Sequence, residues 1–381
     1  MLEFRYFIGM ITLEDIFEAY YDCRKEKRWK GTSVEFEIDY ERNLIALWRE
    51  INDGTYRVGS SIAFVVTKPK PREIFAANFR DRVVHHLLDI KIRPLIELEL
   101  IEETCNNRIG KGTQGCVNYT QQFMQMSEPG DHICKIDMKG FFMSISKELI
   151  IRMVIDFVRG KYRGDDKQTI IWLMRLVLSD CPQDKCELRT PISMWNLLDR
   201  NKSLFFIDRD LGIPIGNLIS QLMANFLLNA FDHKAKSLVK YYTRYVDDCA
   251  MVDTKENLLK AIPILREEAK KVKITLHPDK FYIQPVFHGV EVVGSCVHPN
   301  RLYLHNRTVN NAFRKIELMN ALPVNDKNAE MYLCVMNSYL GFMRNKRSYN
   351  IRKRLVKTIS EDWSWRLRPA EDYNKIILIK N

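Results

Sequence analysis

Two adjacent aspartates, Asp247 and Asp248, interrupt an otherwise apolar run over residues 241–252. Side chains alternate along a strand, so an unbroken strand here would turn one of the two carboxylates into the core. An unpaired charge in that position costs roughly several kcal/mol. A tight hairpin removes the conflict by setting both aspartates at its tip, where a divalent cation can neutralise them. The pattern Tyr245-Val246-Asp247-Asp248 also fits an ordinary Asp-Asp turn, and alone it does not separate the two readings.

The surrounding pattern is mixed. Apolar residues recur at helical spacing over 12–28 (Leu13, Ile16, Phe17, Tyr20, Tyr21) and over 41–52 (Leu44, Leu47, Trp48, Ile51). A β-branched and aromatic run predicts a strand over 61–67, leading into Lys68-Pro-Lys-Pro-Arg72, and a long amphipathic helix follows over 78–98. Residues 133–137 predict a strand, with a helix from Lys147, and 220–235 predicts one strongly apolar helix. Short strands are expected at 273–276, 282–286, 290–293 and 301–304, then a mostly helical, basic segment from Thr308 onward. Helices, a strand-rich middle and a helical tail make an α+β chain.

A third aspartate stands in Lys135-Ile-Asp137-Met-Lys-Gly-Phe-Phe142, at the end of an apolar strand and before a tight turn. By itself it reads as a helix N-cap. Beside Asp247 and Asp248 it gains another meaning. Two-metal nucleotidyl transfer uses two Mg²⁺ ions about 3.5–4 Å apart, one activating a 3′-hydroxyl and one holding a triphosphate. Mg²⁺ takes hard oxygen ligands and keeps several waters, so two or three carboxylates suffice. Between the acidic elements lies Gly212-Ile-Pro-Ile-Gly216-Asn-Leu-Ile-Ser-Gln221. Its glycines and proline set a tight path that a nucleotide and a template base can approach closely, or simply a turn before a core helix.

In this order the three elements resemble the palm of reverse transcriptases. That resemblance implies a right-hand polymerase with an antiparallel-sheet palm, fingers and a helical thumb. It makes Asp137, Asp247 and Asp248 the catalytic, metal-binding carboxylates, joined by the Met138 backbone carbonyl, with two Mg²⁺ ions as cofactor and Mn²⁺ as a substitute. Lys70 and Arg72, followed by Asn78-Phe-Arg80-Asp81-Arg82, look like the family's fingers, and Arg108-Ile-Gly110-Lys111-Gly112-Thr113 resembles its template-side turn. Lys280 matches the lysine that follows the catalytic hairpin, and Gly289-Val-Glu-Val-Val-Gly294 looks like the primer-grip turn. Phe142, five residues after Asp137, holds the place of the sugar-sensing aromatic, while Phe141 is expected in the core. The implied nucleotide-binding set is Lys70, Arg72, Phe142, Ile215, Gly216, Gln221 and Lys280. The implied template and primer set is Arg80, Arg108, Lys111, Gly289, Gly294, Arg344, Lys346 and Arg347. The expected domains are N-terminal helices and fingers over 1–130, palm over 131–300 with a fingers-like insertion at about 157–205, and a basic helical thumb over 301–381.

Lys202-Ser-Leu-Phe205 followed by Gly212-Ile-Pro-Ile-Gly-Asn-Leu-Ile-Ser-Gln221 is similar to reverse transcriptases of diversity-generating retroelements, whose usual form has Thr where Ile219 stands. Most other reverse transcriptases place Gln where this chain has Ile215. A branched apolar side chain cannot make that glutamine's hydrogen bonds, so base selection weakens, unless Ile215 only packs the site. The resemblance implies misincorporation opposite template adenines, with Ile215 and Arg72 as candidates for it. It also implies a template RNA, a cDNA or DNA primer and dNTPs as partners, along with a small basic helical accessory protein. Competing readings are a reverse transcriptase of the antiphage, abortive-infection kind, an RNA-dependent RNA polymerase, and an inactive RNA-binding scaffold. Phe142 argues against the RNA polymerase, and retention of three aspartates argues against the scaffold.

The charge supports a polyanionic partner. The chain is +11 overall, and residues 306–381 hold 15 Lys and Arg against 7 Asp and Glu. The nine scattered cysteines suggest reduced thiols, and Cys181 and Cys186 lack a second pair to complete a zinc site. No apolar run approaches about 20 residues and the N-terminus lacks a secretory apolar core, so a cytoplasmic protein without membrane contact is expected. Too few residues follow the thumb for a ribonuclease H, endonuclease or integrase domain, so RNA removal and cDNA installation are expected to need other proteins.

Overall fold

The computed structural model describes residues 10–25, 31–67 and 70–379; the expectations for the N-terminal residues 1–7, for 26–28 and for Lys68 and Pro69 lie outside them. The strands, in chain order, are β1 (Ser61–Val66), β2 (Arg72–Ala77), β3 (Asp131–Met138), β4 (Cys186–Leu188), β5 (Tyr241–Tyr245), β6 (Asp248–Thr254), β7 (Leu276–Pro285), β8 (Val290–Val292), β9 (Ser295–His298), β10 (Arg301–Leu304), β11 (Leu367–Pro369) and β12 (Ile376–Leu378). The chain divides into two compact units. Among the described residues no helix is long and apolar enough to cross a membrane.

The first unit comprises Met1–Ile109, Ile136–Leu238 and Lys260–Lys280. Its centre is the helix Phe79–Glu99, which opens where the Asn78 side chain accepts the Asp81 N–H at 2.8 Å. Val83, Val84, Leu87, Leu88, Ile92 and Ile96 are fully buried, because helices Leu13–Arg24 and Leu218–Leu227 pack on it. A three-stranded sheet of order β2-β1-β4 pairs β1 antiparallel with β2 and parallel with β4. Ala63, Val65 and Phe75 from this sheet form a core with Met143, Trp195 and Leu204. The single helix expected over 220–235 is two helices, Leu218–Leu227 and Asn229–Leu238, broken at Leu228. No glycine or proline marks the break. Both helices anchor on the 104–106 segment, through Asn225 to the Asn106 carbonyl at 2.7 Å and through Asp232 to the Thr104 hydroxyl at 2.8 Å.

The second unit comprises Gly110–Lys135, Val239–Leu259 and Phe281–Asn381. Its sheet has the order β5-β6-β3-β7, and residues 131–135 of β3 and 281–285 of β7 fall in this unit. The strands expected at 273–276 and 282–286 are one strand, β7, preceded by a turn in which Lys273 has φ 60°. A separate antiparallel meander joins β8, β9 and β10. Helices Asn306–Asn320, Asp326–Met343 and Tyr349–Lys357 close over Ile316, Tyr332, Met336, Leu340, Leu355 and Trp363. The tail is not helical to its end, because β11 and β12 form a hairpin whose Leu367 and Ile376 are buried against this core. Pro369 lacks the N–H that a helix interior would need.

Candidate functional site

In the first unit, Asp137 lies near the end of β3 with its side chain 16% exposed. Lys280 donates from Nζ to Asp137 Oδ2 at 2.6 Å, while the buried Asp137 Oδ1 has no hydrogen-bond partner. A desolvated carboxylate oxygen without a donor is costly unless something else neutralises it. Met138 is buried behind it.

The loop from Gly212 to Asn217 runs along β2. Phe75 N donates to the Ile215 carbonyl at 2.9 Å, and Ala77 N donates to Asn217 Oδ1 at 3.2 Å. Gly216, at φ 122°, has no room for a side chain: a Cβ would stand 2.8 Å from the Phe75 carbonyl oxygen. On the loop's other side, Gly212 N donates to the Ile145 carbonyl and Ile213 N to the Phe142 carbonyl. These bonds bring Phe142, Ile215, Gly216 and the strand that begins at Arg72 together. Ile215 is half-buried and packs on the cluster of Phe75, Met143 and Trp195, so part of its role is packing. Phe142 and Gln221 are half-buried, Phe141 is buried, and Lys70 and Arg72 are exposed.

Sequence reasoning missed the group that fixes this wall. Glu73, 1% exposed, accepts from Trp195 Nε1 at 2.6 Å, Ser203 Oγ at 2.5 Å and Leu204 N at 2.7 Å. Burial pushes its pKa up against those three donors. The signal was present in the alternation of β2, where Glu73 shares a face with Phe75 and Ala77.

In the second unit, the predicted hairpin is β5 and β6, with Tyr245 opposite Asp248 and Val246 and Asp247 forming a two-residue turn. Val246 has φ 59°. That region costs an L residue about 1–2 kcal/mol and is an outlier for a β-branched one. Arg244, fully buried, donates from Nη1 to the Val246 carbonyl at 2.7 Å. Asp248 Oδ1 lies 3.3 Å from Lys135 Nζ, which also donates to the Glu291 carbonyl at 3.2 Å. The Glu291 backbone bonds the Tyr282 hydroxyl, whose pKa burial pushes up to about 12. Gly294, at φ 78°, sits in the β8–β9 turn, and Gly289, at φ 77°, faces the His298 ring, which a Cβ would strike at 2.6 Å.

The remaining cations divide. Arg80 pairs with Glu50 and lies 4.8 Å over the Tyr56 ring. The Arg108 guanidinium, 7% exposed, binds Glu97 at 2.6 Å and the Ile101 carbonyl at 2.6 Å. Lys346 is buried, donates to the Phe342 carbonyl at 2.7 Å, and burial lowers its pKa. Arg344 and Arg347 are exposed, and Lys111 precedes the helix Gly112–Gln125. Lys346 and Arg344 line a cavity of about 150 Å³ with Thr113 and Ser295, whose buried Oγ has no partner. Among the described residues no set of three or more His, Cys, Asp or Glu side chains converges to hold a metal ion.

The signature of the reverse transcriptase (RNA-dependent DNA polymerase) family matches residues 67–294, more than half of the sequence. The chain belongs to the reverse transcriptase family. That stretch holds the β2 wall, Asp137, the Gly212–Gln221 segment and the β5–β6 hairpin of this reverse transcriptase. Among solved structures it is similar to a telomerase from Candida albicans in complex with a fragment of telomeric RNA, at 11% identity and a TM-score of 0.45. The alignment covers 80% of this chain and 56% of that one. No curated protein matches the sequence.

Proposed function

We propose that this chain is an RNA-directed DNA polymerase of the diversity-generating retroelement type, copying a template RNA into cDNA with errors concentrated at template adenines. The observation that carries the polymerase reading is the buried, unpartnered Asp137 Oδ1 in a chain of this family. A hard cation is the partner such an oxygen suits, and the Asp247 and Asp248 carboxylates and the Met138 carbonyl offer the same donor chemistry. Bound by such oxygens, Mg²⁺ would supply Lewis acidity toward a primer 3′-hydroxyl and a triphosphate, and Mn²⁺ would suit the same donors.

The chain's own residues do the rest. Lys280, half-exposed at Asp137, meets the triphosphate in this reading, and so do Lys70 and Arg72, whose exposure leaves them free to do so. The Phe142 ring bars a ribose 2′-hydroxyl, and Gln221 lies in the first turn of the helix behind the nucleotide. Ile215 presents an apolar side chain where a hydrogen-bonding one would check the nascent base pair, which loosens selection. We assign backbone contacts to Arg344 and Arg347, with the cavity beside Ser295 as a phosphate position, and leave Arg80 and Arg108 to the fold.

Primer extension on an RNA template with Mg²⁺ and dNTPs, with every product position sequenced, tests both levels. The expected result is synthesis with errors clustered at adenines, and a loss of at least about a thousandfold in Asp247→Ala without change in folding. Synthesis by Asp247→Ala would sink the catalytic assignment. Uniform fidelity, or product made without the template, would retain the polymerase and favour the antiphage type.

A further inference from the structure

The β5–β6 and β8–β9 turns are both two residues long, and both carry valine in the left-handed region, at Val246 (φ 59°) and Val293 (φ 41°). They are held differently. In the β8–β9 turn the second residue is Gly294, also at positive φ, so one of the two positions is relieved by the residue type itself. In the β5–β6 turn the residue after Val246 is Asp247, whose φ is not positive, so the left-handed residue is the first of the pair. A two-residue hairpin of that form ordinarily has glycine in this place. Valine is among the residues least suited to it.

What stands beside the strained peptide is Arg244. Its side chain is among the largest fully buried ones in the molecule, and its Nη1 donates to the Val246 carbonyl at 2.7 Å. A charge-assisted bond to a carbonyl, made by a planar group with no exposure to water, fixes the direction of that peptide. The peptide joins Val246 to Asp247, so its orientation sets how Asp247 and then Asp248 leave the turn.

We propose that Arg244 is a positioning residue that holds the Val246–Asp247 peptide in its left-handed turn and thereby aims the two aspartates. Strain of this kind persists only where the surroundings over-determine it, and the guanidinium supplies that determination. The proposal deepens the polymerase reading and, in its effect on rate, rests on it.

A double-mutant cycle tests it: the unaltered chain, Arg244→Met, Val246→Gly and the double variant. Urea unfolding and single-nucleotide extension on an RNA template are measured for each. Glycine enters the left-handed region without help, so the brace becomes dispensable when it stands at 246. Arg244→Met is expected to lower kcat by about tenfold with KM for dNTP nearly unchanged, and this loss shrinks to about threefold or less beside Val246→Gly. The shift in unfolding midpoint shrinks in the same direction. Equal losses in both backgrounds overturn the proposal, since a purely packing role for Arg244 is indifferent to residue 246. If Arg244→Met does not fold, Arg244→Lys replaces it in the cycle, and the same equality overturns the proposal. An unaltered chain that fails to extend a primer counts against the polymerase reading alone, and the unfolding cycle then decides the brace.

Discussion

Between residues 80 and 108 four of the five arginines and lysines meet a carboxylate and the fifth, Arg82, donates to the Ala77 carbonyl at 2.7 Å, whereas between 344 and 357 most are exposed. In the first stretch Arg80 meets Glu50, Lys91 meets Asp15 and Asp166, Arg93 meets Asp89, and Arg108 meets Glu97. In the second, Arg344, Arg347, Arg354 and Lys357 are exposed, and none makes an ion pair with a carboxylate among the described residues. Arg354 instead lies 5.6 Å over the Phe313 ring, and the buried Arg352 bonds the Asp372 carbonyl. The two stretches differ in composition as well as in pairing: residues 80–108 hold five cations and six acids, and residues 344–357 hold seven cations and no acid. One stretch uses its cations in internal structure, and the other leaves them exposed, where a polyanion would release counterions on binding them.

The largest effect that separates them is on stability. Arg108→Ala removes a nearly buried guanidinium and its three hydrogen bonds, to Glu97 and to the Ile101 and Thr104 carbonyls. Glu97 keeps Arg93 at 3.6 Å, and the expected cost is about 3 kcal/mol in urea unfolding. An unchanged midpoint would mean that these bonds add nothing to the fold, and would return Arg108 to the surface that meets template.

A second effect in the same stretch depends on pH. His85 is 3% exposed, its Nδ1 has no partner, and burial first, then nearby His86 and Arg82, pushes its pKa down to about 3. The unfolded chain binds this proton near pH 6.5 and the folded chain does not, so stability is full above that pH. It declines as pH falls from 6.5 toward 3, by roughly 2 kcal/mol between pH 7 and pH 5. Unfolding curves of His85→Leu should be flatter over that window, and an identical decline would remove His85 as its source.

The smallest effect belongs to the exposed stretch. Arg344→Ala with Arg347→Ala should leave the unfolding midpoint in place. The slope of log affinity against log salt for an RNA–DNA duplex should fall by about 2, one for each lost phosphate contact. A changed midpoint with an unchanged slope would make Arg344 and Arg347 structural residues rather than phosphate contacts.

Sequence reading reached the acidic hairpin because Asp247 and Asp248 break an alternation that a strand must otherwise keep. It reached the turn at Gly216 because glycine there admits a carbonyl that no other residue does. It could not tell Arg108 from Arg344, because the partners that distinguish them are set by tertiary folding. Glu73 meets Trp195 across 122 positions, and Thr104 meets Asp232 across 128. The buried Arg244 was hidden for another reason: it sits inside a run read as apolar, and nothing local marks a guanidinium there as buried. The break at Leu228 and the β11–β12 hairpin were missed because tertiary packing overrode local propensity there.

The loop at Ile215 has a consequence for how such a protein can change. Its main chain is held by the Phe75 amide, and its neighbours by Asn217 and by the carbonyls of Phe142 and Ile145. None of these bonds uses the Ile215 side chain. Position 215 is thus a socket whose wiring is independent of what is plugged into it. On the proposed reading, drift at this one codon would move copying accuracy up or down while the hydrogen bonds that hold the loop stay as they are, so accuracy and architecture would evolve on separate schedules.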